Sequence, residues 1–184
     1  MRRLISIALT VMAMSLLFAA PVLAEERTCR GTIGAVTVDN LRVPPGATCT
    51  LNATRVKGTI KVERDATLVA SGVRVIGNVQ TENHRSVTLR DSIVGGSVQL
   101  KQGGSAHVVR NRITGDVQFD SDRRAITAKR NVINGSLQAF SNTGGLTIST
   151  NRINGNLQCK SNVPAPTGGG NIVQGNKEDQ CKRL

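Results

Sequence analysis

From about residue 54 onward, polar and apolar positions alternate in short bursts, and the bursts return at a nearly constant interval. The clearest marker is a column of seven glycines, Gly58, Gly77, Gly96, Gly115, Gly135, Gly155 and Gly175, with steps of 19, 19, 19, 20, 20 and 20 residues. The phrases around them align without gaps, from "TRVKGTIK" through "NRITGDVQ" and "NVINGSLQ" to "NRINGNLQ" and a degraded "NIVQGNKE". Two places before the glycine stand Val56, Val75, Val94, Ile113, Ile133, Ile153 and Val173; two places after come Ile60, Val79, Val98, Val117, Leu137 and Leu157. Their neighbours are mostly polar, so the period is two and the predicted state is strand. A second strand lies seven and nine places before the glycine. Its inward pairs are Leu68 with Ala70, Val87 with Leu89, Ala106 with Val108, Ile126 with Ala128 and Leu146 with Ile148.

Each repeat therefore reads as one turn of chain with short strands and tight corners. A single turn cannot bury its apolar side, whereas stacked turns share one continuous core. Neighbouring turns would sit ~4.8 Å apart, the ordinary strand spacing. The expected architecture is all-β, a single-stranded parallel β-helix of about seven short coils of 19–20 residues. Residues 25–57 would form an N-terminal cap and first coil, 58–162 the regular coils and 163–184 a C-terminal cap.

Two polar files accompany the core. Asn111, Asn131, Asn151 and Asn171 fall four places before the glycine, at the bend between the two strands. Asparagine tolerates the left-handed conformation at such a bend, and its amide can bond the coils above and below. Thr54, Val73 and Ser92 hold the same column earlier, so this structural ladder is incomplete. Gln80, Gln99, Gln118, Gln138 and Gln158 form an outward file beyond the glycine.

"LTISTNRI" also obeys the L-x-L-x-x-N-x-L core of a leucine-rich repeat. That fold needs an apolar residue three places before the first leucine, where this chain has Asp65, His84, Gly103, Arg123 and Thr143. These are unsuited to a core, which favours the β-helix. The stretch "GGLTISTNRINGNLQCKSN" resembles the parallel β-helix repeat of the pectin-lyase-like superfamily, and the likeness extends over about Gly34 to Gln180. It implies three parallel sheets, an asparagine ladder at one bend and, with the general preference of parallel crossovers, a right-handed coil. The short coils are also similar in geometry to those of bactofilins, which lack secretion signals and cysteines.

The N-terminus is read apart from the fold. Arg2 and Arg3 precede an uncharged apolar run, Leu4 to Ala20, and "PVLAEE" places Val22 and Ala24 where a signal peptidase reads, so residues 1–24 are expected to be a secretory signal peptide. The run is short for a membrane anchor, and no later stretch resembles a span. The expected localisation is secreted, extracellular or periplasmic. Four cysteines in such a chain suggest two disulfides. Cys29 and Cys49 lie at the first coil, Cys159 and Cys181 at the last. Bonded cysteines need Cα atoms within ~7 Å, so a rod allows only Cys29–Cys49 and Cys159–Cys181, one staple at each end. No C-x-x-C spacing supports a metal.

The formal charge is +12 for the whole chain, which favours polyanions as partners. Tryptophan and tyrosine are absent, and Phe119 and Phe140 are the only aromatic residues after the signal. Ring-stacking sugar sites and single-strand nucleic-acid platforms therefore have almost nothing to build on, and no specific nucleic-acid binding is expected. A basic edge is the candidate binding site. Arg55, Arg74, Arg112 and Arg152 lie three places before the glycine, and Arg90, Arg110, Lys129 and Arg130 just before the asparagine corner. Such an edge can meet the regularly spaced charges of an anionic polysaccharide or another envelope polyanion; its alternative role is a solvated edge that prevents lateral aggregation.

Catalytic signals are weaker. Acid–base chemistry needs two carboxyl groups converging on one bond, yet Asp91, Asp116, Asp120 and Asp122 fall in different columns. Glu82, Lys101 and Asp120 share one column and read as an alternating salt-bridge ladder. Glu63, Asp65, Glu82 and His84 form the best candidate cluster, whose simpler reading is a solvated group of charges. His107 reads as a surface residue. A threonine face (Thr50, Thr88, Thr127, Thr147, Thr167) is similar to ice-binding arrays but is interrupted by Val69, His107, Ala125 and Gly145. The expected function is a secreted structural or binding module without cofactor or metal. The alternative is a carbohydrate-active enzyme of lyase or hydrolase type.

Overall fold

A computed structural model describes residues 25–184, so the signal sequence expected at 1–24 lies outside the described residues. The described chain is all-β with no helix, a parallel β-solenoid of three sheets. One coil shows the plan. Ser105–Val109 lies in the second sheet, Arg112–Ile113 in the third, Val117–Asp120 in the first, and Ile126–Lys129 begins the next coil in the second sheet. Every strand pairs in parallel with its equivalent one coil away, without slippage: Val98, Gln99, Leu100 and Lys101 oppose Val117, Gln118, Phe119 and Asp120. The strand expected to run through the glycine is thus two short strands with a bend between them.

Eight coils are present among the described residues, where about seven were expected, since the third sheet has eight strands beginning at Thr37–Val38. The first coil escapes the glycine column because its corner is one residue shorter. Only Asp39 and Asn40 separate Val38 from Leu41, while Lys57, Gly58 and Thr59 separate Val56 from Ile60, their partners in register.

The inward residues of all three sheets form one core along the axis. Each apolar column identified above is buried except at Val173, in the last coil, which is half-buried. Phe119, among the largest fully buried side chains, lies between Leu100 and the smaller Ala139 in register. Burial of each large apolar side chain stabilises by about 1.5–3 kcal/mol. Cys29–Cys49 (Cα–Cα 5.6 Å) and Cys159–Cys181 (5.3 Å) staple the two ends, as expected.

The glycine column has a different cause from a simple bend. No glycine in it has positive φ. Successive glycines hydrogen-bond along the axis, with Gly77 N–H on Gly58 O at 2.9 Å and Gly155 N–H on Gly135 O at 2.9 Å. A Cβ at Gly135 would lie 2.7 Å from Gly115 O and also meet the Asp116 carboxylate. Close backbone approach, not left-handed geometry, excludes side chains there.

Gly135→Ala is therefore expected to cost at least ~2 kcal/mol, because the obstructing atoms are backbone. Gly72→Ala, at φ 62° with open space around the new Cβ, should cost only ~1 kcal/mol for the left-handed conformation. Urea unfolding of the two variants makes the comparison; equal losses would refute the close-approach explanation.

Candidate functional site

The surface chemistry is set by what happens at the three corners of each coil. At the corner between the second and third sheets, the left-handed residue is not the asparagine. It is the residue before it: Asp91, Arg110, Arg130 and Thr150 have φ of 52–57°. This corrects the conformational role expected of the asparagines. The left-handed residue turns the chain, and Asn111, Asn131, Asn151 and Asn171 then point inward and are buried. Asn131 Oδ1 accepts from the Asn111 backbone N–H at 2.9 Å, while its Nδ2 donates to Val108 O at 2.8 Å and Asn151 Oδ1 at 3.0 Å. The amide does bond the coils above and below. The outward glutamine file also forms, from Gln80 to Gln158, through Nε2–Oε1 bonds of 2.9–3.2 Å.

A second inward ladder, which the sequence reading missed, occupies the corner between the first and second sheets. Its column is His84, Gly103, Asp122, Asn142 and Asn162, each seven places after a glycine of the repeat. The residues before them, Asn83, Gln102, Ser121, Ser141 and Ser161, have φ of 54–60°. Asp122 N–H donates to Asn142 Oδ1 at 2.9 Å, and Asn142 Nδ2 donates to Phe119 O at 3.1 Å. Asn142, Asn162, Asp122 and His84 are all buried; of the positions judged unsuited to a core, His84 and Gly103 are interior, while Asp65, Arg123 and Thr143 are exposed.

This ladder is defective at its early end. His84 is 2% exposed; its Nδ1 lies 2.7 Å from Thr81 Oγ1, and its Nε2 has no partner. Asp122 is 0% exposed and accepts from Gly103 N–H at 2.7 Å through Oδ1, leaving Oδ2 unpaired. Burial dominates both titrations: it pushes the His84 imidazole down to about 4 and the Asp122 carboxyl up to about 6.

The candidate catalytic cluster does not assemble. Glu63 and Glu82 line one depression of about 650 Å³ on the glutamine face, and Asp65 and His84 line another, of about 610 Å³, around the corner. Glu63 is held by Arg42 through two bonds of 3.0 and 2.9 Å, which keep it below the usual carboxylate range, and Lys61 lies 3.7 Å away. His84 is interior rather than part of a solvated group of charges. Glu82, Lys101 and Asp120 do share a column, but no ion pair joins them among the described residues. Asp120 accepts from Ser121 Oγ at 2.8 Å instead. No group of three or more His, Cys, Asp or Glu side chains suited to a metal occurs among the described residues.

The expected basic edge divides into three neighbouring columns. Arg55, Arg74, Arg112 and Arg152 share one exposed column of the third sheet, with Ile93, Val132 and Ile172 between or beyond them. Arg90 stands in the second sheet, opposite Ser71 and Val109. Arg110 and Arg130 occupy the left-handed corner itself, and Arg110 is engaged by Asp91 through bonds of 2.6 and 2.8 Å. That pairing holds Asp91 below its ordinary range and withdraws Arg110 from the set of unpaired cations. The threonine column of the second sheet is present in register but includes Val69 and His107.

Comparison of the chain with family models, curated proteins and solved structures finds no match in any of the three.

Asp122→Asn should repair the ladder. The new amide would take the place that Asn142 Nδ2 takes on Phe119 O, here on the register-equivalent Leu100 O. It would also remove a buried charge whose cost is absent below the unfolded pKa of 3.8 and is complete above about 6. The variant is expected to gain ~1–3 kcal/mol at pH 7 and nothing below pH 4. His84 acts oppositely, losing stability as pH falls from 6.5 to about 4. In the native protein these two slopes oppose each other, and Asp122→Asn should expose the histidine slope. Melting temperatures measured across pH 4–8 test this; a variant no more stable than the parent at pH 7 refutes it.

Proposed function

We propose that the protein is a secreted binding or structural module of the cell envelope or extracellular matrix whose arginine edge holds an anionic polymer. The observation that carries this reading is the exposed column Arg74, Ile93, Arg112, Val132, Arg152, Ile172. From Arg74 onward cationic and β-branched residues alternate along it, so these cations recur every second coil, about 9.6 Å apart at ordinary strand spacing, while Arg55 stands one coil before Arg74. An extended polyuronate or sulfated glycan repeats its disaccharide over a similar length. Charge-assisted bonds to guanidinium groups can then form in series, with the intervening Ile and Val lying under the sugar rings. Ile93 and Ile172 are 43% and 55% exposed, so apolar contact area is available between the cations.

Secretion is supported by the two disulfides and by the signal-like composition of residues 1–24. Among the described residues no helix is long and apolar enough to cross a membrane. Kinship with the pectin-lyase-like superfamily is supported by the coil phrases and the three-sheet cross-section. The enzymatic alternative would place its chemistry at the depression lined by Glu63 and Glu82. Depolymerisation of an acidic polysaccharide, lost in Glu82→Gln, would favour it over binding.

Replacing Arg74, Arg112 and Arg152 together by glutamate should abolish retention on an immobilised polyuronate at low salt and shift Tm by no more than about 2 °C, because exposed charges contribute little to stability. Retention by the parent should fall steeply with added salt as counterions are released. The control replaces Lys101, Lys160 and Lys182 by glutamate, an equal change of total charge at other exposed positions. Equal loss in the control would assign retention to net charge rather than to this edge.

A further inference from the structure

The early defect in the second ladder opens onto a basic notch. Two consecutive glycines, Gly103 and Gly104, form its floor, and Arg64, Arg85, Arg123 and Arg124 line it. The floor is bare for steric reasons. A Cβ at Gly103 would lie 2.6 Å from His84 Nε2, and one at Gly104 would lie 3.0 Å from the Arg85 carbonyl carbon. Both absent side chains would meet protein atoms rather than solvent, and Gly103 and Gly104 are themselves buried, while arginines from the coils before and after line the notch. The change from 19- to 20-residue coils falls at this point. Four steps separate Asp122 from the first inward residue of the next strand, Ile126, where three separate Gly103 from Ala106, and the longer loop carries Arg123 and Arg124 side by side.

The chemistry of the notch is one-sided. None of its four arginines is ion-paired among the described residues, and Asp65 is the one carboxylate lining it. The Gly103 and Gly104 N–H groups are already used by Asp122 Oδ1 and His84 O. His84 adds an independent sign. Its Nε2 is buried at the base of the notch without a hydrogen-bond partner, and it can donate there in the tautomer in which Nδ1 accepts from the Thr81 hydroxyl. Four guanidinium groups from successive coils thus line the notch, with Asp65, Asn83 and Gln102 as the other polar side chains beside His84. A planar carboxylate offers two oxygens in one plane, whereas a tetrahedral ester offers three in different directions, suited to donors arriving from separate coils.

We infer that this notch binds a tetrahedral oxyanion, a sulfate or phosphate ester carried on the anionic polymer. The polymer as carrier rests on the function proposed above; binding of the anionic group itself does not. The notch lies at the opposite end of the second sheet from the arginine edge, so the two are separable by mutation.

Titration calorimetry of the chain from Glu25 with inorganic phosphate, sulfate and acetate at low ionic strength is the test. One saturable phosphate or sulfate per chain is expected, with acetate at least about tenfold weaker. Arg123→Gln with Arg124→Gln should weaken the oxyanion at least about tenfold, while Arg74→Gln with Arg152→Gln leaves it unchanged. On columns, the notch variant should lose retention on a sulfated glycan but not on a polyuronate of equal charge density. Absence of saturable binding by the parent, or unchanged binding in the notch variant, overturns the site. Oxyanion binding without any effect of the notch variant on sulfated-glycan retention overturns the ester assignment. Loss of retention confined to the notch variant, with the edge variant behaving as the parent, would sink the edge and leave the notch standing.

Discussion

Backbone amides at the corners are the constraint on which this solenoid depends. Along the strands, each N–H finds a carbonyl on the neighbouring coil, and parallel pairing satisfies it without help from side chains. At a corner the chain turns out of the ladder, and a buried amide left there would cost about 1–3 kcal/mol. The protein answers with a side-chain acceptor from an adjacent coil at all three corners. Asparagine serves at the first, from Asn111 to Asn171, and Asp122, Asn142, Asn162 and Gln180 serve at the third. The corner beyond the glycine has its own file. The Ser97 amide donates to Asn78 Oδ1, that of Asp116 to Ser97 Oγ, and that of Ser136 to Asp116 Oδ1.

From this requirement much of the rest follows. An acceptor must stand at the same height in every coil, which holds the repeat length nearly constant and keeps the register free of slips. The glycine column follows from the same geometry, since the oxygen accepting at the second corner occupies the space where the next coil's Cβ would be. At Gly96 and Gly175 the obstruction includes the side-chain oxygens of Asn78 and Asn156. The ladder, the glycine and the inward aliphatic residue are thus one device repeated. Its failure at His84 and Gly103 is informative for that reason: where an inward acceptor is missing, an imidazole ring fills the space, and the next coil has no room there for a side chain.

The stacked core was legible because strand period and coil period are both properties of single columns, and one invariant glycine brings every column into line. The second ladder was harder to see. Counted back from the following strand, its column mixes Asp65, His84, Gly103, Arg123 and Thr143, because the residue added in the longer coils falls between the corner and that strand. Counted forward from the glycine, the column becomes His84, Gly103, Asp122, Asn142 and Asn162, and its chemistry is plain. The left-handed positions were hidden for another reason. Asp91, Arg110, Arg130 and Thr150 have little composition in common, since an exposed left-handed residue needs only to tolerate the strain, about 1–2 kcal/mol, which the buried asparagine bonds beside it offset. The first coil was expected only together with the cap, within residues 25–57, because its corner is shorter and no glycine marks it.

Without aromatic platforms, this surface has only arrays with which to hold a polymer. An exposed guanidinium contributes little by itself, and four scattered on a flexible chain would contribute little more. On a solenoid their spacing is set by backbone hydrogen bonds, so a polymer bound at one arginine meets the next at high effective concentration and without reordering the protein. The same rigidity makes pairing along the column decisive. Asp91 on Arg110 removes one cation from the corner, and Ile93 and Val132 space Arg74, Arg112 and Arg152 at two-coil intervals. In the function proposed above, the edge would act as a ruler for charge along a chain. The notch, lined by four arginines from successive coils, would be suited instead to one group, and in that reading a rod carrying both would set spacing and chemical identity independently.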